Sequence, residues 1–241
     1  MNLTRRNARI AGLFYLIVVL TGPFVLIYAP GQIIVTGDNA ATAANMLAHL
    51  DLFRAWIGVG LLSELAFIAT ALALYRLLRD VQPQFAAVMA LLVLIDAPLA
   101  LHGLSNQIAV LKLLQNPALF ASFDASQHAL LATLLFTADD YGSIISEVFW
   151  GLWLLPLGAL VYQSRVMPRV LGAWLVLNGL TYVALAGIRL FNPGFIDKAS
   201  SLATPVLLGE VAFMLWLLIV GTTAPRPATH AATTRHAAQA R

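Results

Sequence analysis

Four carboxylate residues stand inside long apolar stretches of this chain: Glu64, Asp96, Glu147 and Glu210. A charged side chain at the middle of a lipid bilayer costs at least about 2.5–3.5 kcal/mol, so such residues usually have a role there. Intramembrane carboxylates commonly bind and release protons or cations during transport. We therefore expect the four acids to face the interior of a helix bundle, where they form a shared site for a proton or small cation.

Three further polar residues lie in or beside the same stretches: His102, Asn106 and Arg189. At about 100° per residue, Asp96, His102 and Asn106 are predicted to form one polar sector of a helix. Arg189 is a natural counter-ion for a glutamate. Histidine and carboxylates can also hold a metal ion that activates water, so a membrane-embedded metal-dependent enzyme is an alternative. Its candidate ligands are His102, Asp96 and Glu147, without the HExxH spacing of zinc proteases.

A non-catalytic role in binding a lipid or another lipophilic molecule is the third possibility. Four tryptophans, Trp150, Trp153, Trp174 and Trp216, can line a pocket or face lipid. The sequence contains no phosphate loop, no dinucleotide fingerprint and no GxSxG motif, so it indicates no particular cofactor. Nucleic-acid binding is not expected, because the Lys and Arg residues sit at the ends of apolar runs instead of forming one patch.

The elements that must position these residues are membrane helices. Of the 241 residues, 60% are hydrophobic and 10% are charged, whereas a soluble domain carries about 25% charged residues. A membrane-spanning helix needs about 20 mostly apolar residues. The prediction is an all-α fold, a polytopic membrane helix bundle formed by residues 1–223, with residues 224–241 as a disordered tail. The six predicted spans are roughly 8–28, 54–78, 84–112, 141–163, 168–190 and 203–223.

The orientation follows from the distribution of basic residues, which are enriched on the cytoplasmic side of a membrane. The side with both termini carries ten Lys and Arg residues, and the other side carries four. We therefore expect a multi-pass protein of a bacterial inner membrane with cytoplasmic N- and C-termini. At about 1.5 Å per residue, Glu64, Glu147 and Glu210 lie roughly 10–15 Å below the outer surface, in the outer half of the bilayer.

Two segments outside the predicted spans also have helical signals. Residues 38–50 begin with Asp38, a favourable N-cap, and residues 116–136 begin with Asn-Pro and contain an apolar run. Both are predicted to lie on the outer surface, and the sequence leaves open whether they cover the acidic site.

An internal comparison indicates a repeat. Residues 147–158, EVFWGLWLLPLG, match residues 210–221, EVAFMLWLLIVG, at seven of twelve positions, and ELAF at 64–67 is a weaker match. The pattern is compatible with three repeated helical hairpins, each returning with a glutamate, or with a related pair formed by the fourth and sixth spans. Chance is the competing explanation, because Leu, Val and Ala dominate membrane helices.

Three stretches resemble a known bacterial membrane-protein family, catalogued as domain of unknown function 4386. They are RRNARIAGLFYLI, the loop GDNAATAANMLAH and SEVFWGLWLLPLGALVYQSRVMPRVLGAWLVLNGLTYV. The resemblance spans roughly residues 5–222. It implies a polytopic inner-membrane protein and supplies no catalytic residues.

Overall fold

The structure, a computed structural model, describes residues 5–35, 37–116 and 124–222, and every regular element within them is helical. The predicted tail, residues 224–241, lies outside the described residues. The helices are α1 (Arg5–Pro23), α2 (Ala29–Ile33), α3 (Asn39–Ala48), α4 (Leu50–Leu78), α5 (Pro83–Gln115), α6 (Ala125–Gln163), α7 (Arg169–Phe191) and α8 (Ile196–Ile219). A π-helical turn, Phe24–Tyr28, joins α1 to α2, and a 3₁₀ turn, Pro193–Phe195, leads into α8.

Six of the described helical segments are long and apolar enough to cross a membrane, so the predicted six-helix membrane bundle is confirmed. These segments are Arg5–Ile33, Leu50–Leu78, Pro83–Gln115, Leu130–Gln163, Arg169–Phe191 and Pro193–Ile219. They alternate in direction, so Arg5 and Gly221 lie at the same end of the bundle. We call this the terminal end, and we call the opposite end, with residues 37–49 and 192–195, the loop end.

The two segments outside the predicted spans have different structures. Asp38 caps α3 as a separate short helix, with its Oδ1 accepting a 2.8 Å hydrogen bond from the Ala41 amide. By contrast, residues 125–136 are not a separate surface helix, because they belong to the same continuous helix as the fourth span. A capping box between Asp124 and Gln127 starts α6, and no glycine or proline interrupts it before Gly142.

The six membrane segments form a closed ring. Each long helix packs on the next one along the chain, and α1 packs on both α4 and α8. Contact between α6 and α7 is especially close because glycines face each other at two levels. A Cβ added to Gly151 would lie 2.5 Å from the carbonyl oxygen of Gly179, and one added to Gly158 would lie 2.6 Å from that of Gly172. The seven-residue spacing within each helix keeps both glycines on one face.

Two apolar clusters fill the described part of the ring at different levels. The larger lies toward the terminal end and includes Leu74, Met89, Leu157 and Phe213. The other lies at the loop end and is built around Phe53 and residues of α2, α3, α5 and α6. Along the helices, the four intramembrane acids fall between these clusters.

Candidate functional site

Glu210 of α8 is held by tyrosines from two other helices. The Tyr15 hydroxyl, on α1, donates a hydrogen bond to Glu210 Oε2. The Tyr182 hydroxyl, on α7, also lies close enough to Glu210 for a polar interaction. Tyr15 is 1% exposed and packs edge-on against Phe213 and Trp153, so its hydroxyl has little freedom to turn away. Glu210 therefore ties together α1, α7 and α8.

Glu147 of α6 lies beside the guanidinium group of Arg189. Arg189 Nη1 of α7 is 3.7 Å from Glu147 Oε2, which is an ion pair without a direct hydrogen bond. The Glu147 side chain is nearly buried, whereas that of Arg189 is 39% exposed. Tyr182 lies within electrostatic range of both Glu147 and Glu210, so the two glutamates belong to one neighbourhood.

Asp96 of α5 and Glu64 of α4 form the second pair of acids. Asp96 is fully buried, and its Oδ2 accepts a 2.9 Å hydrogen bond from Trp150 Nε1. The Ser146 hydroxyl also interacts with the Asp96 carboxylate. Glu64 is 9% exposed and lies close enough to Asp96 for their charges to interact. Glu64 Oε1 and Asp96 Oδ1 have no hydrogen-bond partner among the described residues.

Helix α6 connects the two pairs. Trp150 donates to Asp96, and its ring contacts that of Tyr182 at a centroid separation of 6.4 Å. One turn further, Trp153 packs against Phe67 of α4 at 5.0 Å and against Tyr15 of α1 at 6.0 Å. Side chains from all six ring helices thus meet around the four acids. We call this set, Tyr15, Glu64, Asp96, Glu147, Trp150, Tyr182, Arg189 and Glu210, the acidic network.

The charges of the acidic network are not balanced within the described residues. The four carboxylates come from four helices of the ring, and their ion pairs in this part of the chain involve a single cation, Arg189. Three carboxylate oxygens, on Glu64, Asp96 and Glu147, are buried without a hydrogen bond. A buried ionised oxygen without a partner is strongly unfavourable, so Glu64 and Asp96, which have no ion pair among the described residues, are suited to hold protons or a cation.

Two of the residues singled out from the sequence lie elsewhere. His102 is exposed on the bundle surface, and Asn106 is half-buried outside the acidic network. The reason is rotational: His102 is six residues after Asp96 and therefore about 120° away around α5, which is too far for one polar sector. The candidate metal ligands His102, Asp96 and Glu147 are consequently not brought together. Across residues 5–35, 37–116 and 124–222, no three His, Cys, Asp or Glu side chains are grouped to hold a metal ion.

Sequence reasoning missed three residues that contact the acids or extend the polar region, Tyr15, Gln107 and Asp139, and it did not connect Trp150 with Asp96. Gln107 is eleven residues after Asp96, about 20° away on α5, so helical geometry could have placed it on the same face. It donates a 2.9 Å hydrogen bond from Nε2 to Asp139 Oδ2. Tyr15 continues the buried small-residue stripe of Ala8 and Ala11, which is a second usable signal.

The fold and this buried acidic network define a polytopic, all-helical membrane protein. The chain belongs to the family described as Domain of unknown function (DUF4386), whose model matches residues 10–221. It is similar to an uncharacterized protein of Archaeoglobus fulgidus, with 29% identity over 154 residues, covering 64% of this chain and 76% of that protein. No solved structure matches the chain.

Proposed function

We propose that this protein moves protons or small cations across a bacterial inner membrane, with the acidic network as its binding site. The observation that carries the proposal is a pair of buried carboxylate oxygens, on Glu64 of α4 and Asp96 of α5, that have neither a hydrogen bond nor an ion pair among the described residues. A carboxylate in such surroundings needs a bound proton or cation. In membrane proteins, carboxylates of this kind lie chiefly along ion pathways.

The two pairs of acids have different roles in this proposal. Glu210 accepts a hydrogen bond from Tyr15 and lies near Tyr182, and Glu147 lies beside Arg189, so both have fixed protein partners. Glu64 and Asp96 lie near each other, and no described cation pairs with either of them. We therefore assign the exchangeable proton or cation to Glu64 and Asp96, and assign Glu147 and Glu210 to holding the helices around them.

Uptake into liposomes tests the proposal. The purified protein is reconstituted, and proton, Na⁺ and K⁺ fluxes are followed under imposed concentration gradients. Glu64→Gln and Asp96→Asn should abolish the flux, because an amide cannot release a proton and binds cations weakly. Asp51→Asn is the matched control, since Asp51 is an acid on α4 whose side chain is 98% exposed. Wild-type liposomes that carry no flux above empty ones, or variants that keep the wild-type flux, would refute the proposal.

The orientation belongs to the same proposal. The excess of basic residues at the terminal end supports cytoplasmic termini, which puts the loop end outside and the acidic network in the outer half of the bilayer. A reporter that is active only in the periplasm, fused after Arg241, should be inactive. Activity of that fusion would reverse the orientation.

A further inference from the structure

A second group of polar residues lies between α5 and α6, nearer the loop end than Asp96. Asp139 of α6 accepts the hydrogen bond from Gln107 and lies directly over Gly103 of α5. A Cβ added to Gly103 would be 2.1 Å from Asp139 Oδ1, so a larger residue here would require the Asp139 carboxylate to move. Gln107 is 7% exposed, and its Oε1 has no hydrogen-bond partner among the described residues. A carboxylate and an unpartnered amide oxygen are thus held inside the helix interface.

Polar residues continue from this position to the acidic network. On α6, Asp139, Ser143 and Ser146 are spaced four and three residues apart, which places them within about 60° on one face. The two ends of this row contact α5, because Asp139 bonds Gln107 and Ser146 interacts with Asp96. Ser143 lies between them and is half-buried. The row covers seven residues, or about 10 Å along the helix.

The facing side of α5 matches this row. Gln107, Gly103 and Asp96 lie within about 40° of one another around the helix, so all three face α6. Toward the terminal end, the helices pack through the apolar side chains of the larger cluster. Between α5 and α6 at the loop end, polar groups instead follow one another toward a fully buried carboxylate.

We propose that this row is the route by which a proton or small cation reaches Asp96 from the loop end. Asp139 and Gln107 form its entrance, Ser143 and Ser146 form its wall, and Asp96 passes the ion to Glu64. This inference rests on the proposed function of the acidic network, but it makes a separate claim about where water and ions enter. Hydroxyl and carboxylate oxygens at these positions can coordinate an entering cation, or hydrogen-bond to the water that carries a proton.

Cysteine labelling tests the route directly, because the chain contains no cysteine. Ser143→Cys and Ser146→Cys each replace one oxygen by sulfur and are treated with a membrane-impermeant, cationic methanethiosulfonate reagent. Ile145→Cys is the matched control, since Ile145 lies at the same depth on α6 and is 50% exposed on the outer surface of the bundle. Asp51→Cys marks the loop end, and Asp80→Cys marks the terminal end.

The thiolate is the reacting species, and a thiol surrounded by lipid reacts slowly. We expect both serine positions to react at least about tenfold faster than Ile145→Cys, with reagent added from the side that labels Asp51→Cys. Reaction no faster than that of Ile145→Cys, or reaction only from the side of Asp80→Cys, would overturn the route. Labelling does not depend on transport. If the serine positions are not labelled but Asp96→Asn abolishes the ion flux, the route alone is rejected. If they are labelled but the protein carries no ion flux, the proposed function is rejected.

Discussion

The glycine contacts between α6 and α7 give the sharpest test of the fold. In Gly151→Ala, the new Cβ would lie 2.5 Å from the Gly179 carbonyl oxygen and 3.0 Å from the Val183 amide nitrogen. Both atoms belong to the backbone, so the clash can be relieved only by moving one helix away from the other. Overpacking of this kind costs about 1–3 kcal/mol. We therefore expect Gly151→Ala to lower the free energy of unfolding despite the better helix propensity of alanine.

A matched control is present on the same helix. Gly142 also lies within α6, but a Cβ added there would meet no described atom within 4 Å. Gly142→Ala should therefore gain up to about 1 kcal/mol from helix propensity alone. Because both variants gain the helix propensity of alanine, they should differ by the packing loss alone, about 1–3 kcal/mol.

Thermal unfolding in detergent, followed by tryptophan fluorescence, measures this difference. For a chain of this size, 1 kcal/mol corresponds to about 2–4 °C in Tm, so Gly151→Ala should melt several degrees below Gly142→Ala. Equal melting temperatures would show that the α6 and α7 backbones are not in contact. The same comparison on α7 uses Gly179→Ala against Gly187→Ala, since Gly187 also has open space around it.

Two further predictions concern the partners of the glutamates. Tyr15→Phe removes the hydrogen-bond donor to Glu210 and should lower the free energy of unfolding by about 1–3 kcal/mol. Tyr28→Phe, at an exposed position, should change the free energy of unfolding little and is the control. Equal losses in the two variants would contradict the contact between Tyr15 and Glu210. Arg189→Gln leaves Glu147 without its cation and should cost about 1–2 kcal/mol, less than a fully buried pair because Arg189 is partly exposed. Adding Glu147→Gln to Arg189→Gln should restore most of the lost free energy of unfolding. A double-mutant cycle measured in detergent tests this, and a coupling energy of zero between the two residues would refute the ion pair.

The membrane helices could be predicted from the sequence because the bilayer imposes their length and composition. A stretch of about 20 apolar residues without charge has few structural options other than a spanning helix. The beginning of α6 was harder to predict. The run LLATLLF is too polar at its flanks to extend the fourth span by hydropathy, yet it belongs to α6 because nothing after the Asp124 cap breaks the helix.

The rotation of each helix could be predicted only in part. Asp96 and Gly103 share a face by helical geometry, and both are buried. His102 is about 120° from Asp96 around α5, outside that face, and it is exposed, so helical geometry alone could have separated it from the acids. The hydrogen bond between Tyr15 and Glu210 joins residues 195 positions apart, so no local pattern could identify that partner.

The same separation has a consequence for biosynthesis. Because α1 and α8 close the ring, the first helix made acquires its second neighbour only when the last one has been inserted. At about 5–20 residues per second, 195 residues take about 10–40 s to synthesise. During that interval Tyr15 has no Glu210 to bond, and the face of α1 that will pack on α8 is open to lipid or to other membrane proteins. A chain that stops before α8 keeps this face of α1 exposed permanently. The exposed face is a feature by which the cell can recognise an unfinished product.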